Sequence, residues 1–153
     1  MLKQIISGAQ TGADRAALDA AIAFGLPHGG YCPQGRLAED GVIPAHYQLT
    51  EIAGSYRARN KLNVAKADGT VIFYQRYLSG GTELSLAFCL QAKKPYKLLD
   101  IDSLSPTQAA AMLLQFIADF EIAVLNVAGP RHSRCPAMYE FVKQCLTKLL
   151  RPS

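Results

Sequence analysis

Apolar positions along the chain fall into two alternating kinds of run. Short, nearly continuous runs predict strands at 3–7 (rich in isoleucine), 28–32, 69–74 (centred on Val71, Ile72 and Phe73), 95–101 and 122–127. Longer runs with apolar residues on one face predict helices at 11–25, 55–67, 80–93, 105–120 and 136–150. The first helix places Ala16, Leu18, Ala21, Ile22 and Ala23 on its apolar side and closes at Gly25. Ser55 stands as N-cap of the second. The fourth opens with Ser105-Pro106, a cap followed by proline in the first turn. Residues 34–44 read as a polar loop with glycine and proline, and 47–52 as a further short strand or extended segment.

Strand and helix alternate throughout, which predicts an α/β fold: a Rossmann-like three-layer sandwich, with a mainly parallel sheet covered by helices on both faces. The continuous apolar strands agree, because parallel strands are buried on both sides. No linker, repeat or low-complexity stretch interrupts the pattern, so residues 1–153 are expected to form a single ligand-binding domain.

Composition narrows the function classes. Half of the residues are hydrophobic and 18% are charged, which favours a packed core over disorder. No apolar run reaches the roughly 18 residues of a membrane span, and no long apolar stretch follows Lys3. The expected compartment is therefore the cytoplasm, with no membrane partner. The net charge of +4 suits an anionic ligand but is too small to argue for nucleic acid. Cys32, Cys89, Cys135 and Cys145 lack the spacing of a zinc ribbon or redox pair, so no directly bound metal is expected.

In an open α/β sheet, ligands sit beyond the carboxyl ends of the strands. Three strand-end turns carry candidate chemistry. Ser7, Gly8, Gln10, Thr11 and Gly12 lie in the first, which runs into a helix; backbone N–H groups and the helix dipole there favour an anion. The same glycines would also serve a tight turn and close helix–strand packing. Asp14 is either a helix-start carboxylate or a ligand contact. Ser79-Gly80-Gly81-Thr82 forms a second glycine turn at a helix start. The third turn holds Gly129, Pro130 and Arg131, and Arg131 is suited to bidentate phosphate binding. Glu39, Asp40 and Glu83 are the carboxylates nearest this rim, and nothing in the sequence pairs them for acid–base work.

Taken together, residues 7–19, residues 32–41 (Cys32-Pro33-Gln34-Gly35-Arg36-Leu37-Ala38-Glu39-Asp40-Gly41), Asn63-Val64, Asp68-Gly69-Thr70, Gly80-Gly81-Thr82 and residues 126–131 resemble the molybdenum (cofactor) carrier proteins. These are a circularly permuted branch of the SLOG superfamily of Rossmann-like proteins, which also includes the cytokinin-activating LOG enzymes and the DNA-processing protein DprA. The resemblance implies a carrier or binding protein for a phosphorylated small molecule, either molybdopterin (or its molybdenum form) or a nucleotide. Arg36, Arg59 and Arg131 join the glycine turns as ligand contacts. The alternatives are a LOG-like enzyme that hydrolyses the N-glycosidic or phosphate bond of a nucleotide, with Glu83, Glu39 or Asp40 as acid or base, and a nucleotide-sensing module. LOG-type enzymes place a catalytic glutamate three residues after the threonine of the second turn; here that position is Ser85. The reading therefore leans toward holding the ligand rather than cutting it. By analogy with related folds, a homo-oligomer (dimer or tetramer) is expected.

Overall fold

The computed structural model describes residues 1–151. Its centre is a five-stranded parallel sheet formed by β1 (Gln4–Ile6), β2 (His28–Gly29), β7 (Gly69–Tyr74), β8 (Tyr96–Asp100) and β9 (Val124–Ala128). The order across the sheet is β2-β1-β9-β7-β8. The last strand of the chain is thus inserted between the first and the seventh. Ile6 pairs with Asn126, and Ile72 with Ala128, so the carboxyl ends of β1, β9 and β7 finish side by side. The chain departs from β1 toward one edge and from β7 toward the other, so the loops diverge above these three strands and leave a cleft between them.

Five helices cover the sheet: α1 (Ala13–Ala23), α2 (Tyr56–Lys66), α3 (Gly80–Ala92), α4 (Pro106–Asp119) and α5 (Met138–Leu150). On one face α1, α4 and α5 bury the main core, in which Ala16, Ala17 and Ala20 let α1 lie close to the strands while Leu113, Phe116, Met138 and Leu146 fill the remaining space. On the other face α2 and α3 share a thinner core of Val64, Phe88 and Cys89. The Ser105 hydroxyl accepts from the Gln108 N–H, and the Gln108 side chain accepts from the Ser105 N–H, completing a capping box for α4. The Ser55 hydroxyl caps α2 by accepting from the Ala58 N–H.

Two segments differ from the sequence reading. The expected strand at 28–32 is two strands: the chain leaves the main sheet at Gly30, and β3 (Tyr31–Pro33) pairs instead with β6 (Thr50–Ile52) in a separate two-stranded sheet. Within the expected irregular loop at 34–44, β4 (Leu37–Ala38) and β5 (Gly41–Val42) form a small hairpin. This excursion folds over the first turn and buries Ile43 and Tyr47 against Ala9, Leu18 and Cys32.

Candidate functional site

The cleft above β1, β9 and β7 has an inner and an outer part. Gly8, Asp14, Tyr56, Asn60, Asn63 and Ser85 line the inner part, beneath α2. The outer part opens past Ser79, Gly80, Pro130, Arg131 and Arg134, and Gln10, Asp14, Tyr56, Gly81, Thr82 and Gly129 face both. All three glycine turns therefore meet at one place.

The first turn is largely occupied by the protein's own groups. Ser7 is fully buried; its hydroxyl donates to the Asp14 carbonyl at 2.9 Å and accepts from the Ala9 N–H at 3.2 Å. Ala9 itself sits at a φ of 63°, a conformation that costs a non-glycine residue of order 1 kcal/mol. Gly12, at φ 82°, approaches the last turn so closely that a Cβ would lie 2.3 Å from the Pro130 carbonyl oxygen. The Thr11 hydroxyl accepts from the His132 N–H at 3.1 Å and donates to the Glu39 carboxylate. Glu39 also accepts from the N–H and hydroxyl of Ser133 and lies 3.5 Å from Arg131. The Ser133 and Thr11 hydroxyls hold its pKa down at about 2. Glu39 is thus a staple joining three loops.

At the start of α3 the backbone is open. Ser79 provides no side-chain cap. The Thr82 hydroxyl donates to the Ser79 carbonyl at 2.8 Å, and the first helical N–H groups with a partner are those of Thr82 and Glu83. Among the described residues nothing accepts from the N–H groups of Gly80 and Gly81. Such groups at a helix start favour an anion. Arg131 and Arg134 stand beside them. Glu39 offsets the Arg131 charge at 3.5 Å, so Arg134 and the open N–H groups give this edge its positive character.

Facing it is Asp14. Its Oδ2 would be 3.1 Å from a Cβ on Gly8. Burial among protein atoms pushes its pKa up to about 7, and the Gln10 backbone hydrogen bond and the Arg15 charge offset only part of that. Arg15 points elsewhere: its guanidinium donates to both carboxylate oxygens of Asp40, at 3.1 and 3.2 Å, and to the Ala9 carbonyl. Asp14 is half-buried and borders both parts of the cleft.

A model of the circularly permutated YpsA SLOG family matches residues 5–150. The chain belongs to that family. A solved structure from Syntrophus aciditrophicus SB, described as a putative molybdenum carrier protein, is 42% identical over 99% of this chain and 96% of its own, with a TM-score of 0.94. No curated protein matches the chain. The family and the Rossmann-like fold thus agree with the resemblance seen in the sequence.

This SLOG chain places the expected contact residues unequally. Gly8, Gln10, Arg59, Gly80, Gly81, Thr82, Gly129 and Arg131 line the cleft, whereas Thr11 and Gly12 face a groove on the other side of the turn. Ser7 shapes the turn from inside. Arg36 donates to the carbonyls of Ile43, Pro44 and Tyr47 and so holds the hairpin excursion in place. Of the three carboxylates, Glu39 is the staple, Asp40 is the partner of Arg15, and Glu83 is exposed on α3 outside the cleft lining. The Ser85 hydroxyl donates to the Asn60 side chain at 2.9 Å, and Asn60 donates to the Gly81 carbonyl at 3.2 Å, tying α2 to α3. Tyr56 and Arg134 were absent from the expected contacts. Tyr56 packs its hydroxyl where a Cβ on residue 81 would be 2.1 Å away, which is why glycine stands there. Arg134 belongs with Arg131 and His132 to a basic group at a strand end that is visible in the sequence.

Proposed function

We propose that this protein binds and carries a phosphate-bearing cofactor or nucleotide, with the phosphate at the start of α3. The open N–H groups of Gly80 and Gly81 beside Arg131 and Arg134 carry this reading. The neighbouring solved structure, described as a putative molybdenum carrier protein, supports a molybdenum-bearing pterin phosphate as one candidate ligand. Among the described residues no three His, Cys, Asp or Glu side chains come together as metal ligands. The residues fit the phosphate of such a ligand, and the metal would be held through the pterin. When bound, that cofactor supplies molybdenum chemistry; the chain itself supplies the anion site and the walls. The residue three positions after Thr82 is Ser85, engaged by Asn60, and this favours holding the ligand over hydrolysing it.

Mass spectrometry of the ligand that copurifies, together with thermal shift by AMP, tests the reading. A phosphorylated ligand at 100 times its dissociation constant should stabilise by about 2.7 kcal/mol. An unchanged melting temperature with AMP, and no copurifying phosphorylated compound, would sink the proposal.

A further inference from the structure

Asp14 is an acid in an anion site. The residue borders both parts of the cleft, with its Oδ2 beside Gly8, and shares them with Gly81 and Thr82 at the start of α3. A carboxylate there repels an oxyanion, whereas a carboxylic acid donates a hydrogen bond to it. Resting on the phosphate reading above, we infer that Asp14 and the bound oxyanion share one proton. The cleft then accepts an oxyanion that brings its own proton at any pH near neutrality, and a fully ionised one only when Asp14 is itself protonated.

The surroundings leave this role to Asp14. On its own helix, Arg15 is engaged by Asp40. From α2, Tyr56 and Arg59 face the cleft; Arg59 donates to the Gly54 carbonyl and lies over the Tyr56 ring, 5.9 Å from its centre. Burial, and next the Asp14 charge, push the Tyr56 hydroxyl up from its ordinary value, so it stays a neutral phenol. Tyr31 faces the inner part from β3, and Arg131 and Arg134 face the outer part from the loop after β9. Guanidinium groups keep their charge throughout. Among the described residues no histidine lines either part of the cleft. The carboxyl of Asp14 titrates near neutrality, where its proton is available for exchange.

Inorganic phosphate and sulfate separate the two cases. Phosphate still carries a proton at pH 8; sulfate carries none at pH 6 or pH 8. Isothermal titration calorimetry of the full chain should show sulfate affinity falling about tenfold from pH 6 to pH 8, as Asp14 loses its proton. In paired buffers of different ionisation enthalpy at pH 8, sulfate binding should take up nearly one proton per site, and phosphate binding none. The Asp14→Asn variant should show a sulfate affinity that does not change with pH and no sulfate-linked uptake; the wild-type buffer pair stands by itself if that variant fails to fold. A pH-independent sulfate affinity with no proton uptake in the wild type overturns the inference and leaves the phosphate site standing. Failure of phosphate, sulfate and AMP to bind at any pH overturns the phosphate site, and this inference with it.

Discussion

Two glycine turns start helices on the same rim, and they are built for opposite ends. The turn before α1 is filled from within. Gly12 exists there to let the Pro130 carbonyl come close, and Glu39, Thr11 and Ser133 close the outer side. The turn before α3 is open at Gly80, although Tyr56 fills the space beside Gly81. Gly80 has a φ of 53° and no atom within 4 Å of where its Cβ would be. Glycine-rich sequence alone therefore does not mark an anion site; what matters is whether the freed N–H groups and the freed space are used by the protein itself. In the first turn they are used to anchor loops and to place Asp14. In the second Tyr56 takes the space beside Gly81, while the N–H groups of Gly80 and Gly81 have no partner among the described residues.

Substituting alanine at each turn separates the two uses. At Gly12 the new Cβ meets backbone at 2.3 Å in a left-handed conformation, so Gly12→Ala should cost about 3 kcal/mol or more, a drop in Tm of roughly 6–12 °C. At Gly80 only the backbone conformation is strained, so Gly80→Ala should cost about 1 kcal/mol and roughly 2–4 °C. Differential scanning calorimetry of both variants checks the contrast. Equal losses would mean that the first turn is not the structural one.

Asp14 sharpens the comparison, because it places an acid where the first turn faces the second. Its carboxyl has an ordinary pKa of 3.8 in the unfolded chain and about 7 in the folded one. A group that holds its proton more tightly when folded contributes stability below its unfolded pKa, and that contribution is lost as pH rises from about 4 to about 7. Asp14→Asn, which keeps the shape and removes the charge, should match wild type near pH 4 and exceed it at pH 8. Allowing for the residue's partial exposure, the gain is about 2 kcal/mol, or roughly 4–8 °C in Tm. An Asn variant less stable than wild type at pH 8 would show that the Asp14 carboxylate is held by favourable contacts rather than by burial. A gain in stability at a group that faces the cleft is the mark of a residue kept for binding rather than for folding.

Much of the framework was legible in the sequence. The run at 69–74 is β7 end to end, because a strand buried on both faces must be apolar throughout. Ser105-Pro106 gave α4 its start through capping chemistry that acts within four residues. The turn at 79–82 was legible for the same local reason. What could not be read depends on contacts far apart in the chain. The division of 28–32 follows from β3 finding β6, some twenty residues on. Arg36 could be flagged as a cation, but its three carbonyl partners belong to the excursion it holds together. Tyr56 is a cleft wall only because α2 and α3 pack side by side. The Asp14 carboxyl gains its unusual proton affinity from burial, which no spacing of residues records.

Glu39 offers the smallest effect and the opposite sign. Its pKa falls from 4.5 to about 2 on folding, chiefly through the Ser133 and Thr11 hydroxyls. A group whose pKa is lowered in the folded state contributes stability above its unfolded pKa and loses it as pH falls, here from about 4.5 toward 2. Glu39→Gln keeps a side chain that can still accept from Ser133 but has no charge for Arg131. The staple is solvent-exposed, so its contribution at neutral pH is expected to be small. The prediction lies in the slope: between pH 4.5 and pH 2 the Tm of the variant should fall less steeply than that of wild type. Asp14 adds nothing in the lower part of this window, since below its unfolded pKa it is protonated in both states. Parallel Tm curves would show that the Thr11–Glu39–Ser133 contacts do not depend on the Glu39 charge, and the first turn would then owe its closure to Gly12 alone.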